Sequence, residues 1–432
     1  MTTRLEPPQP VLDIAARLER AGYETWCVGG AVRDALLGHP HLDWDLATAA
    51  RPEQVQKIFR RTVPVGVEFG TVGVLDHAGT MHEVTTFRRD VQTDGRHAVV
   101  EFGASLDDDL ARRDFTVNAI AWSPKRRELR DPFDGQGDLR RRVIRAVGEP
   151  GERMKEDRLR ALRAIRFAAR FEFEIEPRTW AAIVESAPHL GRLSAERVKQ
   201  ELEKTMEQVA HPAAAFALWR EAGAFGALIP ALRGVSDAEL ASLDCTPRPG
   251  DGPRGADRKL TRLALLFAAL EPSEVARTLA GLRFSKHDAA WITALVDRWR
   301  GAREEMGAAL RAGSPDDATI RRWVARFGRT RARGVLRLAG ATWAAERAHG
   351  SRAPAAEAVH ALAKRAITIA FRDPVEVTDL AVDGDDLRRA GFAPGPLLGK
   401  MLHALLDWVI EDPARNVPDV LLDRARSLRD HP

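Results

Sequence analysis

Cysteine is nearly missing from this chain of 432 residues, which holds only Cys27 and Cys245. One falls in an apolar, strand-like run and the other in a loop, so a disulfide framework and a thiolate zinc site are both excluded. No apolar run approaches the length of a membrane span, and the opening MTTRLEPPQP lacks the apolar stretch of a secretory signal. The expectation is a cytoplasmic protein with no membrane partner and no disulfide-linked partner. No exact internal repeat and no useful heptad run is present, which argues against solenoids and coiled coils. A strong excess of one charge is lacking too: Lys+Arg 66 stands against Asp+Glu 62, a formal net charge of +4. Bulk charge therefore does not identify a nucleic-acid partner. The basic residues are overwhelmingly arginine, which suits phosphates and base edges. A GC-rich coding sequence would give the same bias, and the two explanations stand level.

What is present is a soluble, globular composition, 30% charged and 44% hydrophobic, too long for one ordinary core. The first third mixes strand and helix. Residues 71–75 and 81–87 are β-rich and joined by DHAG, a hairpin pattern. Residues 99–102, 117–122 and 143–146 are further strand candidates, and the charged RRDVQTDGRHA (88–98) reads as a mobile loop. After about Gly148 the pattern is helical, with strong segments at 153–171 and 195–209, the second capped by Ser194. CTPRPGDGPRGAD (245–257) is the clearest linker. The fold class expected is α+β, a head with a small sheet and helices followed by a long all-α remainder.

Residues 27–48, CVGGAVRDALLGHPHLDWDLAT, carry the densest signal. Val28 closes an apolar run suited to a strand. Gly29 and Gly30 permit a tight turn and close approach of a ligand to the backbone. The next seven residues have helical composition, so a helix N-terminus faces the turn and suits a phosphate. Arg33 in its first turn adds a bidentate phosphate contact. Asp43 and Asp45 alternate with Trp44 and Leu46, strand patterning that puts both carboxylates on one face. Alone, a Gly-Gly is a turn and an Asp-x-Asp a solvated strand end. In this order they supply what a magnesium–nucleotide complex needs, a phosphate cradle beside paired carboxylates. In MHEVTTF, Glu83 alternates with Val84 and is a candidate third carboxylate for a two-metal site, in which one ion activates a 3′-hydroxyl and the other holds a triphosphate. The plain alternative is an exposed glutamate paired with Arg88.

Two further clusters follow. LARRDFTVNAIAW (110–122) sets Arg112, Arg113 and Asp114 one helical turn before Asn118, candidates for clamping a triphosphate and its sugar; an isolated RRD is otherwise a surface salt-bridge group. EDRLRALRAIRF (156–167) spaces Arg160, Arg163 and Arg166 three apart along one helix, with Asp157 one turn before Arg160. A carboxylate only accepts hydrogen bonds and a guanidinium only donates. Side by side, Asp157 and Arg160 match a base edge with an amino group next to a bare ring nitrogen, the edge of cytosine and adenine. Guanine and uracil present the opposite pattern. An ordinary salt bridge on a solvated helix fits the same spacing.

The ordered set GGAVRDALLG, DWDLAT, EVTTFR, DLARRDFTVNAIA, DPFDGQGDL, EDRLRALRAIRF and SAERVKQELEK, over roughly the first 210 residues, resembles the class II tRNA nucleotidyltransferase and bacterial poly(A) polymerase family. The segment 379–412 is similar to the tail of CCA-adding enzymes. The resemblance implies a nucleotidyltransferase head at 1–147, a neck at 148–210 with the nucleotide-selecting helix, a body at 211–312 and an RNA-binding tail at 313–432. It implies two metal ions, Mg2+, at Asp43 and Asp45, nucleotide binding by Gly30, Arg33 and Arg113, and a selecting helix of Asp157, Arg160, Arg163 and Arg166; the residue patterns add Glu83 to the catalytic carboxylates and Gly29 and Asn118 to the nucleotide site. The implied activity is template-independent transfer from CTP and ATP to the 3′ end of tRNA. A-only addition, poly(A) synthesis and a non-catalytic RNA-binding role are the alternatives. Loop 88–98 corresponds to the flexible loop that CC-only enzymes lack, although it reads DGRHA where the family pattern is closer to DGRRP. His287-Asp288 lacks the companion ligands of a metal phosphohydrolase and is assigned to a helix surface.

Overall fold

The fold is taken from a computed structural model that describes residues 5–39, 43–93, 98–246 and 255–430. The chain divides into two compact units, residues 1–205 with 218–233, and residues 206–217 with 234–432.

The first unit is built on a seven-stranded sheet. Its strands, with a separate two-stranded ribbon, are β1 (Thr25–Val28), β2 (Asp45–Thr48), β3 (Thr62–Gly66), β4 (Thr71–Leu75), β5 (Met81–Thr86), β6 (Arg88–Thr93), β7 (Ala98–Phe102), β8 (Ala121–Ser123) and β9 (Glu128–Arg130). The sheet order is β3-β4-β5-β2-β1-β8-β9. Only β2 and β5 are parallel; the other neighbours are antiparallel. β1 is buried along its whole length, as its run TWCV suggests. α1 (Gln9–Arg20) buries Val11, Ile14, Ala15 and Leu18, an i, i+3, i+4, i+7 stripe. Trp26, Val28, Ala47, Phe87, Leu110 and Ala121 share one core cluster. The DHAG hairpin forms as expected, with the Thr80 N–H donating to Asp76 Oδ1 at 2.9 Å.

Four expectations need correction. The segment 88–98 is not a loop throughout: β6 and β7 pair from Arg88↔Phe102 to Thr93↔Ala98, with 94–97 outside the described residues. The charges disguised a strand pair, because Arg89 and Glu101 sit opposite and form an ion pair at 2.7 Å. Arg88 Nη1 also donates to the Phe69 carbonyl. In 117–122 the chain makes a 3-10 turn at Thr116–Asn118 and only then strand. In 143–146 the strand covers only Val143–Ile144. Finally, 153–171 is two helices. After α2 (Gly30–Leu36), α3 (Pro52–Ile58), α4 (Leu106–Ala111) and α5 (Gly135–Arg141) come α6 (Pro150–Glu156) and α7 (Leu159–Phe171). Asp157 between them is extended, φ −147 and ψ 102. Its Oδ1 accepts the Leu159 N–H at 3.0 Å, so a carboxylate capping α7 sets the break. α8 (Pro177–Ser186) and α9 (Ala195–Gln208) follow.

The second unit is helical, with its longest members at Lys286–Ala312, Arg329–Ala348, Ala356–Arg372 and Pro396–Glu411. Trp299 and Trp343 meet edge to face at 5.2 Å in its interior. The linker 245–257 lies largely outside the described residues. Among the described residues no helix is long and apolar enough to cross a membrane.

Candidate active site

The site grows from the centre of the sheet. Val28, the last residue of β1, pairs with Asp45, the first of β2. The Gly29–Gly30 turn therefore begins beside Asp45. On the other side β2 runs parallel to β5 with Leu46 opposite Val84, and one step back along that register Asp45 meets Glu83. Asp43 precedes the strand, separated from Asp45 by the buried Trp44. Burial pushes the Asp45 carboxyl up to about 6, and the charges of Asp43 and Glu83 push the same way while Arg113 opposes them. Three carboxylates and one guanidinium thus act on one another here.

Arg113 ties this cluster to the turn. Gly29 has φ +76, which calls for glycine in the backbone, and a Cβ there would lie 2.9 Å from Arg113 Nη1, which would have to shift. Arg113 donates to Asp109 Oδ2 at 3.3 Å and to the Asn118 carbonyl at 3.4 Å. Its Nε is buried and has no hydrogen-bond partner, an arrangement suited to an anion arriving at the turn.

The remaining residues point inward or toward the neck. Arg33 donates to Asp34 Oδ1 at 2.7 Å and to Asn118 Oδ1 at 2.5 Å, beneath the rings of Phe167 and Phe171. It is 3% exposed, and burial lowers its pKa while Asp34 pulls it back. Asn118 passes the chain on, donating Nδ2 to Asp114 at 2.8 Å. Asp114 Oδ2 accepts Arg163 Nε at 2.8 Å. Burial would raise the Asp114 carboxyl, but Arg163 and the Asn118 hydrogen bond outweigh it and hold it down at about 2.

Asp157 and Arg160 are not paired with each other. Asp157 Oδ2 accepts Arg197 Nη2 of α9 at 2.7 Å. Arg160 donates to Glu156 at 2.7 Å and to the carbonyls of Arg153 and Arg112. These bonds use three of the five guanidinium N–H groups, leaving two. Arg166 is buried against Glu201 at 2.6 Å. The structure thus gathers Asp43, Asp45, Glu83, Gly29 and Arg113 in one place, and Arg33, Asn118, Asp114 and Arg163 in a buried chain behind it. Asp157 and Arg160 stand at the break between α6 and α7. Sequence reasoning passed over Arg197, Glu201, Asp34 and the role of Asp114. A signal existed: Arg197 and Glu201 are four apart on one helix and share a face.

The acidic cluster fits a divalent cation, since its mutual repulsion is what a bound cation relieves. Among the described residues no three His, Cys, Asp or Glu side chains make a ready metal cage. Magnesium keeps waters and substrate phosphates among its ligands and needs only one or two carboxylates.

Comparison with known proteins finds the family. The family described as "Poly A polymerase head domain" matches residues 25–145. The family described as "Probable RNA and SrmB- binding site of polymerase A" matches residues 172–234. A CCA-adding enzyme of Limosilactobacillus fermentum is 35% identical over 431 residues, 99% of this chain and 98% of that protein. One from Geobacillus stearothermophilus is 47% identical over 205 residues, 47% of this chain and 50% of that protein. The crystal structure of the Bacillus stearothermophilus CCA-adding enzyme in complex with CTP superposes with a TM-score of 0.76 at 31% identity, covering 98% of this chain and 99% of that one.

Proposed function

The chain belongs to the family of CCA-adding enzymes, and from that premise we propose that it transfers nucleotides from CTP and ATP to the 3′ end of tRNA without a nucleic-acid template. The observation that carries this reading is the acidic cluster of Asp45, Asp43 and Glu83 lying directly against the Gly29–Gly30 turn and Arg113. In the reaction the RNA 3′-oxygen bonds to the α-phosphorus, the bond to the β-phosphate oxygen breaks, and pyrophosphate leaves. Asp43 and Asp45 would hold Mg2+, with Glu83 beside them. The ion supplies charge neutralisation at the transferred phosphate and lowers the pKa of the attacking hydroxyl. Gly29 and Gly30 admit the triphosphate close to the backbone, and the partly exposed Arg113 guanidinium lies beside Gly29. Arg33 and Asn118 brace the turn from behind, and Arg163 and Arg166 anchor α7 to Asp114 and Glu201.

Base choice rests on Asp157 and Arg160. The Asp157 carboxylate holds the Leu159 N–H and Arg197, which leaves lone pairs for the exocyclic amino group of cytosine or adenine. Arg160 keeps two N–H groups for the adjacent ring nitrogen. The division into head 1–147, neck 148–210, body 211–312 and tail 313–432 belongs to the same reading, with the helical parts gripping the tRNA. The test uses tRNA transcripts ending before CCA, after one C and after CC, each with one NTP at a time in magnesium. Addition of C, C and A in turn is expected. Addition of A alone, and only after CC, would make this an A-adding enzyme; no addition would overturn the reading.

A further inference from the structure

In the second unit, the helices Lys286–Ala312 and Arg329–Ala348 approach closely, and a Cβ on Gly334 would lie 2.7 Å from Leu295 Cδ2. One turn before each of these residues, Trp291 and Arg331 face one another, the guanidinium carbon 5.2 Å from the ring centroid. Arg331 has no ion pair among the described residues, and its Nε is buried without a hydrogen-bond partner. Arg298 reaches the chain just before the Arg331 helix begins and, among the described residues, donates only to main-chain carbonyls, Phe327 at 2.8 Å and Ala294 at 3.2 Å. Burial and the Arg331 charge both lower the Arg298 pKa, against the opposing charge of Asp297. The acids at the start of the Arg331 helix are taken by Arg329, whose N–H bonds Glu376 and whose guanidinium bonds Asp379. His287 stacks on Trp291 at 6.4 Å, and its side chain is 81% exposed.

Neither guanidinium has a carboxylate hydrogen-bonded to it among the described residues, and leaving such charges uncompensated is costly. A phosphate between them supplies that compensation, and the planar fork of arginine suits it. The half-buried indole carries Arg331 over its ring and the exposed His287 ring stacked on it, so a nucleobase would stack there in place of His287, with little regard to sequence. We propose that Arg298, Arg331 and Trp291 form an RNA contact, the two arginines taking one backbone phosphate and the indole the neighbouring nucleotide. The proposal rests on the reading of the chain as an RNA-extending enzyme. Such a contact positions the substrate and carries no sequence preference.

The experiment measures binding of fluorescently labelled tRNA lacking CCA to the full chain, across a salt series, for wild type, Arg331→Gln, Arg298→Gln and Trp291→Leu. Each arginine variant should weaken binding about three- to tenfold and lower the slope of log affinity against log salt, by less than the about 0.7–0.9 expected when one phosphate contact is lost outright, because the other arginine still holds the shared phosphate. Trp291→Leu should weaken binding and leave the slope unchanged. In turnover the loss should fall in KM for RNA, with KM for ATP unmoved. Unchanged affinity and slope in both arginine variants would overturn the proposal, as would a rise in KM for ATP alone, which would assign the site to free nucleotide. A lower melting temperature with wild-type affinity would also overturn it, since Arg331 would then only brace Trp291. Wild-type protein that binds tRNA with these dependences but adds no nucleotide would overturn the catalytic reading and leave this contact standing.

Discussion

Asp45 and Asp114 lie in the same head and are driven in opposite directions by their neighbours. Asp45 is raised to about 6 by burial and by Asp43 and Glu83. Asp114 is buried as well, yet Arg163 and Asn118 hold it at about 2. One carboxylate is left waiting for a cation that the fold does not supply, while the other already has its cation. The depressed pKa of Asp114 has a definite sign in stability. Its contribution is fully present above the unfolded value near 4 and is lost as pH falls toward 2. A shift of this size corresponds to about 2 kcal/mol. Asp114→Asn should therefore lower unfolding free energy by at least about 2 kcal/mol at neutral pH, and by more if Arg163 is left buried without a partner. Urea titrations of both proteins at a series of pH values test this: the gap between them should narrow from pH 4 downward. A gap of the same size at pH 2.5 and pH 7 would mean that the Arg163 pair contributes nothing.

At the scale of the element, the break between α6 and α7 matters most. The segment 153–171 has high helical propensity, and Asp157, a residue type that caps helices, is its one local sign of an interruption. The interruption depends on Asp157 capping Leu159 and on Arg197, forty positions on, holding the other oxygen. For the same reason the ribbon of β6 and β7 was hidden: its charges are neutralised across the strands by partners distant in sequence. Arg33 looked like a phosphate ligand because its buried partners Asn118, Phe167 and Phe171 come from other elements. What was legible was local or periodic, such as the stripe of α1, the buried β1, the DHAG hairpin and the shared neighbourhood of Asp43, Asp45 and Glu83. Asp157→Ala is expected to remove an acceptor from the base edge and leave an amino group unpaired, a cost of about 1–3 kcal/mol, or roughly ten- to a hundredfold in discrimination. It also removes a helix cap, worth about 1 kcal/mol. The two effects separate in the ratios of kcat/KM for the four NTPs on a tRNA lacking CCA. UTP and GTP should gain relative to CTP and ATP. Equal losses for all four would leave Asp157 with the capping role alone.

For the whole molecule, the formal net charge of +4 is too small to hold RNA by bulk attraction. Affinity must come from particular places where arginine is left without a carboxylate, while the chemistry needs a place where carboxylates are left without a cation. If RNA is held at Arg298 and Arg331 as proposed, that contact falls in a different unit of the chain from the acidic cluster, which makes the two separable by mutation. Asp45→Asn keeps the shape of the side chain and removes one charge from the acidic cluster. It should abolish nucleotide addition in magnesium, because a carboxylate at the transferred phosphate is lost. Measured without magnesium at neutral pH, it should also stabilise the protein, because the ionised Asp45 is held in surroundings that disfavour its charge. The raised pKa places that gain at roughly 1–3 kcal/mol, a trade of stability against activity common at catalytic sites. Its affinity for tRNA should stay within about twofold of wild type and fall with salt along the same slope, because the phosphate contacts that release counterions are elsewhere. Three measurements on one variant thus test three statements. Residual turnover would remove Asp45 from the catalytic set. A lower melting temperature would contradict the mutual repulsion of Asp43, Asp45 and Glu83. A changed salt slope would mean that RNA is gripped at the acidic cluster itself, and the division of labour between the two units would fall.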